Sequence, residues 1–189
     1  MSHHFNQDIK QCLDVLANGG MILYPTDTIW GLGCDATNAE AVNKIIELKQ
    51  RPTHKSFVVL VASEREVMQY VSAVDLAVFD FLNEQTTPTT VIYDAAIGLA
   101  DNVLAADGSV AIRICQDAFC KTLIKRYRKP LVSTSANISN EASPSTFATI
   151  HPLIKQGVDY VVRHRKDEAQ PANPSAIIKW VNGQAIKIR

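Results

Sequence analysis

The run FVVLVA, residues 57–62, is six consecutive apolar residues with no polar interruption. An amphipathic helix would break it every third or fourth position, and a half-exposed strand every second. It therefore reads as a central strand covered on both faces. Outward toward the N-terminus, MILY (21–24) is a second buried strand. Before it, Ile9, Cys12, Leu13 and Leu16 repeat at helical spacing until Gly19-Gly20 stops the helix. Between the two strands, Thr37 with Glu40 has the capping-box pattern, opening a helix whose apolar face is Val42, Ile45, Ile46 and Leu48.

Outward toward the C-terminus, Ser63 with Glu66 repeats the capping box, and residues 74–84 read as a helix. TTVIY (89–93) and VAIRI (110–114) read as strands around a loop-like segment, 94–109. Asp117 is placed to cap a helix carrying Phe119, Leu123, Ile124 and Tyr127, and LVST (131–134) is a strand. A polar stretch follows, with a short helix expected from near Ser145. DYVVR (159–163), SAIIKW (175–180) and AIKIR (185–189) complete the strands, the last two joined as a hairpin across Asn182-Gly183. The segment 164–174 reads as a surface loop.

This alternation predicts an α/β fold, one domain over 1–189, with helices packed on an open, mixed sheet. The chain of 189 residues is 47% hydrophobic and 20% charged, enough for a packed core. Nineteen Lys and Arg balance nineteen Asp and Glu, which argues against a surface coated in nucleic acid while permitting a local basic patch. No apolar run is long enough to span a membrane, and MSHHFNQDIK lacks a signal core, so a cytoplasmic protein is expected. Cys12, Cys34, Cys115 and Cys120 show no metal-ligand spacing and read as reduced packing thiols.

Polar residues gather where strands end: Thr26-Asp27-Thr28 inside YPTDTIWGLG (24–33), Lys49-Gln50-Arg51-Pro52, STSAN (133–137), and Pro174-Ser175. Ligands bind at such strand ends in open α/β sheets. Each cluster also has a plain reading. The threonines suit a strand, STSAN suits a hydrogen-bonded turn, and Lys49 with Arg51 can offset a helix dipole. Arg113 lies among Ala111, Ile112 and Ile114, so its guanidinium needs an anion. That anion is either an internal Asp or Glu, or a ligand carboxylate or phosphate. The phosphate-loop patterns GxxxxGK[ST] and GxGxxG are absent, and no histidine has a nucleophile partner. Cations, hydroxyls and an asparagine suit charge stabilisation of phosphoryl chemistry better than covalent catalysis.

Six segments in order resemble the YrdC-like family of threonylcarbamoyl-AMP synthases: YPTDTIWGLG, Lys49-Gln50-Arg51-Pro52, TPTTVI (87–92), VAIRI, TSAN (134–137) and PSAII (174–178). They cover about residues 10 to 189. The resemblance implies a twisted open sheet with a concave ligand-binding face, and no extra C-terminal domain of the kind longer relatives carry. It implies that L-threonine, bicarbonate and ATP give threonylcarbamoyl-adenylate and pyrophosphate, with Mg²⁺ accompanying the triphosphate and no metal held by the protein. The product would serve adenosine 37 of ANN-decoding tRNAs through separate transferase proteins, with at most weak direct tRNA contact.

Carried over by position, the resemblance implies that Lys49 and Arg51 are catalytic and that Thr28, Arg113, Ser135 and Ser175 bind threonine. It places Arg51, Lys55, Ser109, Asn137, Ser145 and Arg189 on the nucleotide side. Tyr24 and Trp30 would shape the pocket, and the glycines after Trp30 would keep its exit narrow. The chain departs from the family pattern at Thr86-Thr87-Pro88, Lys55-Ser56-Phe57, Leu60, Cys115 and Asn140. Two other readings share the fold. One is an RNA-binding module acting in tRNA or rRNA maturation, with Lys121, Lys125, Arg126, Arg128 and Lys129 as its basic cluster. The other is a carbamoyl-handling domain of a maturation enzyme.

Overall fold

The computed structural model describes residues 5–52, 55–168 and 173–189. The helices are α1 (Asn6–Ala17), α2 (Ala39–Lys49), α3 (Glu64–Tyr70), α4 (Ala77–Asn83), α5 (Ala118–Tyr127) and α6 (Pro152–Gly157). The strands are β1 (Ile22–Tyr24), β2 (Gly31–Gly33), β3 (Val58–Val61), β4 (Thr89–Tyr93), β5 (Val110–Ile114), β6 (Leu131–Ser135), β7 (Tyr160–Val161), β8 (Ala176–Val181) and β9 (Gln184–Lys187). They form one mixed sheet in the order β7-β1-β2-β6-β3-β5-β4-β8-β9. The pairs β1·β7, β3·β5 and β4·β8 are parallel, and the others are antiparallel.

Strand β3 sits between β5 and β6 near the middle. It sends Val59 and Val61 into the core beneath α2, α3 and α4, and Leu60 into the core beneath α1 and α5. This is why FVVLVA has no polar position: both faces are covered. The sheet is bound by a hydrophobic layer on each side, the arrangement the alternation of elements predicted. Cys12, Cys34, Cys115 and Cys120 are free and buried, and burial pushes the Cys12, Cys34 and Cys120 thiols up.

Caps decide most helix starts. Ser63 accepts from the Glu66 N–H, and the Glu66 carboxylate reaches back past the cap to accept from the Ala62 N–H at 2.7 Å, a variant of the capping box shifted by one residue. Asp117 caps α5 through the Cys120 N–H. At α2 the cap is Asn38, one residue later than expected, and it accepts from the Glu40 and Ala41 N–H groups. The Thr37 hydroxyl and N–H both donate to Asp35 Oδ1 instead, so Thr37 cannot serve the helix. Helix α4 starts at Ala77 rather than at residue 74, where Asp75 Oδ1 accepts from the Ala77 N–H.

No helix forms at Ser145. Thr146 and Thr149 bond to each other and to local backbone, and α6 waits for His151, which caps it ahead of Pro152. The strand expected over 159–163 shortens to Tyr160–Val161: Val162 N–H still donates to the Leu23 carbonyl at 2.9 Å, and Asp8 then takes Arg163 N–H and His164 N–H. Of the loop 164–174, residues 169–172 lie outside the described residues. The terminal hairpin forms as expected, with Asn182 and Gly183 at φ 50° and 76°, the pair of left-handed values a type I′ turn requires. Among the described residues, no helix is long and apolar enough to cross a membrane.

The glycines of β2 also make room for the Tyr24 ring. The Tyr24 ring lies across them, and its hydroxyl reaches the Val132 carbonyl at 3.4 Å. A Cβ on Gly33 would stand 2.6 Å from Tyr24 Cε1 and 2.7 Å from the Val132 oxygen, so only glycine lets the ring pass.

Candidate active site

The alternation along β5 builds the site. Val110 and Ile112 enter one core, so Ala111 and Arg113 face the other side of the sheet. The α1 and α5 layer does not cover that side completely. A cavity of about 430 Å³ remains over β5, β6 and β8, lined also by the loop after β1 and the segment after α2. Arg51, Arg113 and Arg189 line it, and no Asp or Glu side chain does among the described residues. Hydroxyls complete the wall: Thr28, Ser56, Ser109, Ser133, Thr134, Ser135, Ser143 and Ser175.

Thr26, Asp27 and Thr28 meet Arg113 directly. Arg113 Nη2 lies 3.0 Å from Asp27 Oδ1 and donates to Thr28 Oγ1 at 3.2 Å. Thr26 Oγ1 donates to the Ile29 carbonyl at 2.8 Å and accepts the Thr28 N–H at 3.0 Å. With that proton committed, the 2.9 Å contact between the two threonine hydroxyls has Thr28 as donor. Thr28 therefore offers its lone pairs to Arg113 and the cavity. Asp27 is fixed from behind by the Gln116 N–H at 3.1 Å, and the Thr26 carbonyl accepts from Arg165 at 3.0 Å. The anion that Arg113 needed is thus internal, yet it engages only Nη2. Nε is buried without a partner, and Nη1 has none among the described residues.

The two cations of the K-x-R segment part ways. Helix α2 ends at Lys49, and Gln50 turns left-handed at φ 50°. Arg51 reaches the cavity, its guanidinium 4.5 Å above the Phe57 ring and donating to the Ser56 carbonyl at 2.7 Å. Lys49 turns the other way and is 1% exposed. Its Nζ donates to the Ser135 carbonyl, to the Asn137 carbonyl at 2.6 Å and to Asn137 Oδ1 at 3.3 Å. Burial, with Arg51 nearby, lowers the Lys49 ammonium to about 7. Of the two cations, Arg51 lines the cavity and Lys49 does not.

Of the other expected residues, Ser109, Ser135, Ser175 and Arg189 line the cavity. Arg189 donates to the Ser175 carbonyl at 3.0 Å, and the Ser175 and Thr90 hydroxyls bond at 2.8 Å. Asn137, Lys55 and Ser145 do not line it. Asn137 accepts from Ser135 Oγ and donates to the Ile138 and Glu141 carbonyls, so its amide organises the turn. Lys55 points to Asn140, and Ser145 sits in the hydroxyl-rich bend before α6. Leu60 is fully buried in the core beside Arg113, so that departure leaves the cavity lining untouched. Further hydroxyls line the cavity that carried no individual role from the sequence: Ser133, inside the STSAN cluster, then Ser143 and Ser56. The first was legible from alternation with Ser135 along β6, whereas the others depend on loop paths. None of the basic cluster 121–129 lines the cavity. No group of His, Cys, Asp and Glu able to hold a metal occurs among the described residues.

A family model covering Sua5, YciO and YrdC, described as telomere recombination, matches residues 14–189. The chain belongs to the Sua5/YciO/YrdC family. Among its relatives, a threonylcarbamoyl-AMP synthase from Idiomarina loihiensis is 30% identical over 171 residues, covering 89% of this chain and 91% of the relative. One of the same name from Pseudoalteromonas translucida is 29% identical over 184 residues, covering 95% of this chain and 96% of the relative. Among solved structures, Sua5 of P. abyssi in complex with L-threonine superposes with a TM-score of 0.84 at 19% identity, over 97% of this chain and 54% of that one. This chain thus spans about half of that Sua5. YciO of E. coli gives 0.82 at 20% identity, over 97% of this chain and 88% of that one. These structural likenesses carry the Sua5/YciO fold, with its mixed open sheet and flanking helices.

Proposed function

We propose that this cavity forms threonylcarbamoyl-AMP from L-threonine, bicarbonate and ATP. The reading is supported by relatives of that name along nearly the whole chain and by the chemistry of the lining. The single observation that carries it is Arg113: a buried guanidinium in a cavity lined by no described Asp or Glu side chain, partnered on Nη2 alone, with Nε and Nη1 unpartnered among the described residues. That is a socket for a carboxylate, and the Thr28 lone pairs beside it suit a small substrate bearing hydroxyl and amine donors.

In the reaction, the threonine amine first takes up bicarbonate as a carbamate, releasing water. A carbamate oxygen then attacks the α-phosphorus of ATP, forming a P–O bond while the bond to the pyrophosphate breaks. Charge gathers on the phosphate oxygens, and Arg51 and Arg189 supply fixed donors to meet it. Arg51 is restrained by Phe57 and Ser56, so little reorganisation precedes the step. Mg²⁺ enters with ATP as part of the substrate, and among the described residues no Asp or Glu side chain lines the cavity to bind it independently. The product goes on to tRNA adenosine 37 through separate proteins.

The test incubates pure protein with ATP, bicarbonate and L-threonine and follows pyrophosphate. Release requiring both co-substrates supports the reading, and release indifferent to threonine rejects it.

A further inference from the structure

We infer that Lys49 is a positioning residue, which holds the 135–137 turn in place so that Ser135 faces the cavity, and that it makes no contact with ATP. The inference rests on the synthase reading for its kinetic consequence and on geometry for the rest. An ammonium has three protons, and Lys49 has three acceptors: the Ser135 carbonyl, the Asn137 carbonyl and Asn137 Oδ1. None is left for a phosphate. The residue is 1% exposed and, among the described residues, does not line this cavity.

The tie runs both ways. The Lys49 carbonyl accepts the Ser139 N–H at 2.8 Å, so α2 grips the segment at each end of the turn. Inside the turn, Ser135 Oγ donates to the same Asn137 Oδ1 that Lys49 holds, which sets the orientation of the Ser135 hydroxyl. The left-handed Gln50 is what allows this division, because it points Lys49 under the turn and Arg51 into the cavity. A cation in the wall does ligand chemistry, while its neighbour two residues back sets the wall's shape.

Two experiments decide it. In wild-type protein, amine acylation mapped by mass spectrometry should modify exposed Lys55 and leave Lys49 unmodified, with or without ATP. Labelling of Lys49 that ATP suppresses would overturn the inference, and this result needs neither a variant nor turnover.

The second is a double-mutant cycle on threonine turnover with Lys49→Met and Ser135→Ala. Lys49→Met should raise the KM for threonine about tenfold with the KM for ATP within about twofold. The pair should do little more harm than Lys49→Met alone, since one residue acts through the other. Multiplying effects, or a rise confined to the KM for ATP, would contradict it. Wild-type protein that turns over no threonine would count against the synthase reading alone, with the labelling result still deciding the place of Lys49.

Discussion

Asp27 holds Arg113 from behind the cavity wall, with Oδ1 3.0 Å from Nη2, while Thr28 accepts from the same nitrogen. The pair is buried, with side chains 9% and 6% exposed. Removing one partner of such a pair leaves the other uncompensated, at about 3–5 kcal/mol. Arg113→Ala should therefore lower the melting temperature and also weaken threonine binding by about a hundredfold. Adding Asp27→Asn should restore most of the stability and none of the binding. Calorimetric unfolding and threonine titration of the two variants check this. Recovery of threonine affinity in the double variant would mean that Arg113 serves only the fold.

Arg51 lines the cavity and has a modest structural part. Arg51→Ala should raise the KM for ATP by about ten- to a hundredfold, the range for losing a charge-assisted contact. Its melting point should fall little, since the lost contacts are two carbonyl bonds, to Ser56 at 2.7 Å and to Lys55 at 3.4 Å, and the Phe57 stack. Arg51→Lys should recover little, because a lysine reproduces neither the planar stack nor the fork of donors. ATP kinetics on both variants decide it, and full recovery by lysine would reduce Arg51 to a point charge.

Gly33→Ala tests the packing beneath the site. Its methyl would meet the Tyr24 ring at 2.6 Å and the Val132 carbonyl at 2.7 Å. Neither yields easily, since the ring is fully buried and the oxygen belongs to β6. A loss of about 1–3 kcal/mol is expected. Denaturant titration measures it, and an unchanged midpoint would show that β1 and β2 can part without penalty.

Lys49 gives stability a pH dependence. Its ammonium lies at about 7 in the folded chain against an ordinary 10.5. Between those values the unfolded chain binds more protons, so this residue's contribution to stability rises with pH across that window. It is complete above the ordinary value and lost as pH falls through the folded one. Melting temperatures of wild type and Lys49→Met from pH 6.5 to 9.5 should diverge accordingly, with wild type gaining relative to the variant as pH rises. Parallel curves would place the folded-state value near 10.5.

The fold was largely legible because its signals are local. FVVLVA and VAIRI mark strands by composition, Ser63 and Asp117 mark helix starts, and Asn182-Gly183 marks a turn that needs two left-handed residues. The errors came where a distant or competing partner took a local group. Asp35 draws Thr37 away from α2, and Asp8 ends the ladder after β7. Within the site, Arg113 announced itself by being a charge in an apolar strand. Lys49 did not, since its destination depends on the single left-handed residue at Gln50 and on a turn some 86 residues away. Spacing alone put Lys49 and Arg51 together, and one backbone angle set them apart.

The central claim is a carboxylate socket at Arg113 in a cavity that adenylates carboxylated threonine. The most direct measurement is pyrophosphate release by pure protein from ATP, with bicarbonate and L-threonine supplied or withheld. Release is expected only when both are present, and is expected to be lost in Arg113→Ala at threonine concentrations that saturate wild type. Release that persists without threonine, or that survives loss of Arg113 unchanged, would contradict it.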